Sequence, residues 1–169
     1  MPLVGIEQTR KQLEDEVKAL ETQASVELKR GVNVCLETMM SVTPVWTGET
    51  VANYHVSVGR AASGGFRGAV GSEDPGHTNK MPLGVEPRRP ANEALARAEM
   101  VAAIAEIGDK LKDVMISNSV DDAKWDMIDN GAAPGGPPGY PLGPNQVERS
   151  PGGVSRVAIQ TVKSSGNWR

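Results

Sequence analysis

Residues 4 to 42 carry Ile6, Leu13, Val17, Leu20, Ala24, Leu28, Val32, Cys35, Met39 and Val42, separated by steps of three, four or seven residues. Those steps place all ten on one face of a helix, with polar residues filling the other faces. At 1.5 Å per residue a straight helix of this length is roughly 58 Å long, more than one small core can cover. Its early turns therefore pack on a neighbouring subunit, or the helix bends or frays. Gly31 is the position most suited to a bend, although glycine inside a helix costs only about 1 kcal/mol relative to alanine. Pro44 ends the pattern, because its ring removes a backbone donor and drives the preceding residue out of the α region.

After the turn the period changes. From Val51, the residues Ala52, Tyr54, Val56 and Val58 alternate with Asn53, His55 and Ser57, which predicts a strand with one face on a core and places His55 on the polar face. With no second histidine or carboxylate at ligand spacing, His55 reads as a solvated or interface residue rather than a metal ligand or base. Residues 60 to 90 are rich in Gly, Pro and charge and predict a long loop or extended hairpin. The run GGFRGAVG within them lacks both the Lys-Ser/Thr of a phosphate loop and the G-x-G-x-x-G spacing. Asn92 is a suitable N-cap for an Ala-rich helix to Ile107, with Leu95, Ala98, Val101, Ala102, Ile104 and Ala105 on its apolar face and Gly108 closing it. Val114 to Asn118 read as a short strand. Ser119 and Asp122 have capping-box spacing and open a short helix through Trp125 and Ile128 that Asn130-Gly131 terminates. The stretch GAAPGGPPGYPLGPNQVERSPGG cannot enter a helix or sheet interior, and VSRVAIQTV, residues 154 to 162, returns to β-branched alternation.

The expected fold is α+β: a long N-terminal helix and a second helix packed on a small, mostly antiparallel sheet, with an extended Pro/Gly-rich C-terminal arm. Residues 1–131 form the core domain, 132–153 the arm, and 154–169 a C-terminal strand and tail. A chain of 169 residues with 38% apolar content supports one such core rather than two.

Several chemistries are disfavoured. A net charge of −3 argues against a dedicated nucleic-acid binder. The single cysteine, Cys35, excludes an internal disulfide and sits where a small buried hydrophobe is expected. Charged residues at Glu7, Arg10 and Lys11 leave no room for a signal-peptide apolar run, and no stretch of ~18 apolar residues could span a membrane. The expectation is a reducing, aqueous compartment. No C-x-x-C, H-E-x-x-H or G-x-S-x-G occurs, and Asp121-Asp122, adjacent in sequence, point apart on a helix and favour its N-terminal dipole instead. The reading is a chain with no catalytic, cofactor or metal site. Three overlapping P-x-x-P spacings in PGGPPGYPLGP fit either a ligand for an aromatic groove or an extended linker.

TPVWTGETVANYHVSVG, residues 43 to 59, resembles the TPVDTG-x-x-x-x-NW-x-VS-x-G signature at the helix-to-strand junction of neck and tail-completion proteins of tailed bacteriophages, the group around minor tail protein Z. DVMISNSVDDAKWDMIDNG is similar to that family's strand, Asn, aromatic-containing turn and L-E-x-G ending, and GGVSRVAIQTV is similar to its closing glycine-led strand. The matches cover about a third of the chain, in the family's order. Thr43, Pro44, Val45, Thr47 and Gly48 match the turn; Ala52, Asn53, Val56, Ser57 and Gly59 match the strand; Asn118 and Gly131 match the second motif. Trp46 stands where an Asp is usual, and Tyr54 and Trp125 supply the aromatics.

The resemblance implies a structural virion protein, made in the host cytoplasm. It would form a ring of copies, most often six-fold, that joins the head connector to the tail around the DNA channel. Its partners would be itself, the neighbouring connector or neck proteins, the tail-terminator or tail-tube proteins, and DNA passing without sequence-specific binding, with no membrane involved. A tail-terminator ring is the alternative within that class, and a non-viral binding module using its P-x-x-P arm is the alternative outside it. At the turn, Thr47-Gly48 would swing the chain from helix to sheet, and Trp46 would seal that corner or touch a partner subunit. The arm, with Tyr140, Arg149 and Arg156, is expected to reach across a subunit boundary, and its strand to add to a neighbour's sheet or return to its own.

Overall fold

The structure, a computed structural model, describes residues 3–43, 49–60, 65–68, 89–109, 111–120, 125, 129 and 153–166. Helix α1 spans Leu3–Val42 without interruption at Gly31. Its C-terminal half is the spine of the core. Leu36 and Met40 are fully buried and Val32 and Met39 nearly so. The deepest pair, Leu36 and Met40, lies one step round from the stripe of Cys35, Met39 and Val42, which line its margin. Cys35 is half-buried, and burial pushes its thiol pKa up, as expected of a small packing residue.

Residues 49–52 correct the strand expected from Val51. Glu49–Ala52 is a short helix, α2, closed by the Asn53 amide donating to Glu49 O at 3.0 Å. Val51 and Ala52 are adjacent and both fully buried, which a helical turn in a pocket allows and a one-sided strand does not. Strand β1 is Tyr54–Val58. It pairs antiparallel with β2, Val114–Asn118, in a two-stranded sheet with Tyr54 opposite Asn118 and Val58 opposite Val114. Tyr54 and Val56 point into the core formed with α1.

Helix α3, Arg89–Ile107, joins the strands. It begins three residues before Asn92, with Pro90 in its first turn, where a missing N–H costs nothing. Asn92 is a buried interior residue rather than the N-cap. Gly108, at φ +61°, ends the helix as expected. The buried face is Asn92, Ala96, Met100, Ala103 and Ile107, whereas Ala98, Val101, Ala102 and Ala105 face solvent. An alanine-rich helix is apolar on two sides, and the side holding the bulkier Met100 and Ile107 removes more apolar area from water. Bidentate bonds from Arg97 to Glu37, 2.7 and 2.8 Å, tie α3 to α1, and that pairing raises the guanidinium pKa.

The largest correction is at the C-terminus. Val154–Ser165 is a helix, α4, not a strand. Val154 and Ala158 are fully buried in the same core as Leu36 and Met40, an i, i+4 spacing that places both on one helical face. Its first turn is capped from a distance, because Asp129 Oδ1 accepts the Ser155 amide at 2.7 Å, while Gly153, at φ +100°, packs directly against the Asp129 backbone. β-branched composition was a weak guide there, since β-propensity yields to tertiary context. The terminal segment completes the chain's own core rather than a neighbour's sheet. Of the short helix expected from Ser119 through Ile128, Ser119 and Val120 are not helical and Trp125, like Asp129 just beyond it, has helical backbone; the other residues of that stretch and residues 132–152 of the arm lie outside the described residues.

Candidate functional site

Three features are built by this fold: a hydrogen-bonded corner between α1 and the sheet, a polar network behind β1, and an overhanging stretch of α1.

The corner gathers several of the motif residues. Thr43, fully buried, donates its hydroxyl to Met39 O at 2.6 Å and meets the Tyr54 hydroxyl at 2.7 Å. The Tyr54 ring is fully buried and stands edge-to-face with Trp125, centroids 6.0 Å apart at 87°, an arrangement that suits the ring quadrupoles. Burial pushes the Tyr54 phenol pKa well up, and the Thr43 bond opposes that shift. Asn118 donates to Thr50 O at 2.8 Å and accepts from the Val120 amide at 3.1 Å, so it holds α2 to the end of β2. Arg89, which the sequence did not single out, reaches from the start of α3 to Met40 O at 2.8 Å and Thr43 O at 3.0 Å. A cation on the last carbonyls of α1 satisfies both the open acceptors and the helix dipole. Pro44, Val45, Trp46, Thr47, Gly48, Gly131, Tyr140 and Arg149 lie outside the described residues, and Arg156 is exposed on α4.

The network behind β1 overturns the solvated reading of His55, which is 2% exposed. Its Nε2 lies 2.8 Å from Ser119 Oγ, and its Nδ1 lies 3.2 Å from both Glu99 carboxylate oxygens and 2.8 Å from an Arg67 nitrogen. That same Arg67 nitrogen donates to Glu99 Oε2 at 2.6 Å and Tyr54 O at 2.8 Å. Asn53, fully buried, clamps the Arg67 backbone at both ends: its Oδ1 accepts the amide at 2.5 Å and its Nδ2 donates to the carbonyl at 2.7 Å. The carboxylate that the sequence lacked near His55 is therefore supplied 44 residues away, a separation that local spacing cannot reveal.

A Ser–His–Glu order invites comparison with a nucleophile, base and orienting acid. Nδ1 of His55 faces both the Arg67 guanidinium, which only donates, and the Glu99 carboxylate, which only accepts, so the roles of the two ring nitrogens follow the tautomer. The Ser119 hydroxyl donates to Asn53 Oδ1, 3.0 Å away. The arrangement fixes residues 65–68 and α3 to the strand.

The third feature is the first half of α1. Every residue whose burial is described from Gly5 to Gln23 is exposed, and Ile6, Leu13, Val17 and Leu20 are 54 to 64% exposed. They form an apolar stripe on a helix that has left its own core. A groove of about 1140 Å³ follows this face and ends at Asp109. Among the described residues, no helix is long and apolar enough to cross a membrane and no cluster of three or more His, Cys, Asp or Glu could hold a metal ion. Comparison with family models, with curated proteins and with solved structures finds no match for this chain.

Proposed function

We propose that the chain is a structural assembly subunit, a ring-forming neck or tail-completion protein of a tailed bacteriophage that joins head connector to tail. The observation that carries the assembly reading is the overhang of α1. Helix nucleation is costly, and in proteins most helical stability comes from packing an apolar face. A stripe of Ile6, Leu13, Val17 and Leu20 left 54 to 64% exposed therefore fits a chain whose working state includes another polypeptide. The phage assignment rests on the motif at residues 43 to 59. Its residues Thr43 and Asn53 are buried and fully bonded, as suits a signature that preserves a helix-to-strand corner rather than a reacting centre. A net charge of −3 suits a lumen through which DNA slides, because lysine- and arginine-rich walls would hold phosphate.

Negative-stain imaging of the purified chain, with labelling of the protein in phage particles, tests this reading. Closed rings with a central channel and label at the head–tail junction are expected. A chain that forms no ring, alone or with connector proteins, and labels no particle rejects it.

A further inference from the structure

The overhang of α1 carries more information than its apolar stripe. On the groove face, Arg10, Glu14, Lys18 and Glu21 follow one another at steps of four, four and three residues. At 100° per residue all four fall on the same flank of the Ile6, Leu13, Val17 stripe. Read toward the C-terminus, these four groove-lining charges are plus, minus, plus, minus, and Glu7 precedes them on the same flank. Read backward the four are minus, plus, minus, plus. When two helices pack antiparallel, like flanks meet, whereas parallel packing sets opposite flanks together.

We propose that this face docks a second copy of the same chain, as an antiparallel pair of α1 overhangs about a two-fold axis between residues 15 and 16. That axis sets Arg10 of one copy opposite Glu21 of the other and brings Glu14 within one residue of Lys18, twice each by symmetry. Within one residue of that register Leu13 faces Val17 and Ile6 faces Ala24 across the pair, so the apolar stripes close on each other. Arg10 already bonds Glu14 within its own helix at 2.8 Å, which holds both side chains on the flank where the partner's charges arrive. The contact is isologous and differs in symmetry from a ring's head-to-tail contacts. It does not rest on the phage reading: it describes how the free subunit covers its apolar face, and the pair opens or joins two rings when assembly proceeds.

Sedimentation of the full chain at low salt, followed by charge exchange, tests the pairing. The unmodified chain is expected to sediment as a dimer. Arg10→Glu with Lys18→Glu gives an all-acidic flank, and Glu14→Lys with Glu21→Lys gives an all-basic one. Each double variant alone should weaken the dimer at least tenfold, and an equimolar mixture of the two should recover it. Spin labels on Glu7→Cys in a Cys35→Ala background report orientation: an antiparallel pair holds them roughly 25 Å apart along the axis at 1.5 Å per residue, and a parallel one at about 10 Å. A monomeric unmodified chain, a mixture that fails to re-pair, or labels at the shorter separation overturns the proposal. Rings that fail to form while the mixture re-pairs would reject the neck reading alone.

Discussion

At the scale of single residues, the side chains that matter most are polar groups buried with complete sets of partners. Asn53 uses its amide and carbonyl oxygen on Glu49 O, on both backbone groups of Arg67 and on Ser119 Oγ. Asn53→Ala removes all four bonds and leaves the Arg67 amide and carbonyl facing a void. Leaving buried groups unsatisfied costs about 1–3 kcal/mol each before relaxation, so a loss of about 3 kcal/mol in urea unfolding is expected; a change under 0.5 kcal/mol would mean that residues 65–68 are not held this way. Tyr54 gives a pH signature. Its phenol is buried and its folded pKa lies above the ordinary 10.0, so the folded state keeps a proton that the unfolded chain loses. Stability is whole below pH 10 and falls above it, by up to about 1.4 kcal/mol per pH unit from this group. Tyr54→Phe should flatten that alkaline slope relative to the parent while lowering stability at neutral pH through loss of the Thr43 bond. Equal slopes in parent and variant would show that the phenol ionises freely in the folded chain.

At the scale of elements, α1, β1 from Tyr54 and β2 were legible from their periods, and Pro44 and Gly108 mark where α1 and α3 stop, although the strand expected from Val51 began too early. Where legibility failed, two periods fitted the same residues. Val154, Val157 and Ala158 satisfy helical spacing while the β-branched content of the segment suggests a strand; what decides is Asp129, distant in sequence, whose carboxylate caps the first turn. The face of α3 was likewise misread, since alanines on two sides leave volume rather than pattern to choose the buried one. The sites failed for a related reason: the partners of His55 come from three separate segments. Two tests belong here. Gly153→Ala forces a side chain onto left-handed backbone and into the Asp129 backbone, and a loss of at least about 1–3 kcal/mol is expected from thermal or urea unfolding; a variant as stable as the parent would mean that α4 is not seated against Asp129. Truncation after Gly131 removes Val154 and Ala158 from the core and should abolish cooperative melting. An effect on joining must therefore be sought by shortening residues 132–152, which leaves α4 in place. A truncated chain that still melts cooperatively would show that α4 is dispensable.

At the scale of the whole molecule, the body and the overhang divide the labour of one helix. The body is stabilised without the overhang, because the described buried residues begin at Ser25, and the ties across α1 run from Arg30, Glu37, Met40 and Thr43 to α4 and α3. The overhang carries apolar area that water covers in the single chain and that the proposed pairing would bury. Deleting residues 1–20 should consequently leave unfolding of the body almost unchanged, within about 0.5 kcal/mol, as for surface changes that touch no buried group. Association should fall by orders of magnitude, since Ile6, Leu13, Val17 and Leu20 all leave together and the remaining helix starts one turn above its first buried residue. Circular dichroism melts paired with light scattering on the same samples separate the two effects. A deletion that unfolds the body would mean that the first half of α1 supports its own core, and one that assembles like the parent would place the contacts between copies elsewhere on the surface.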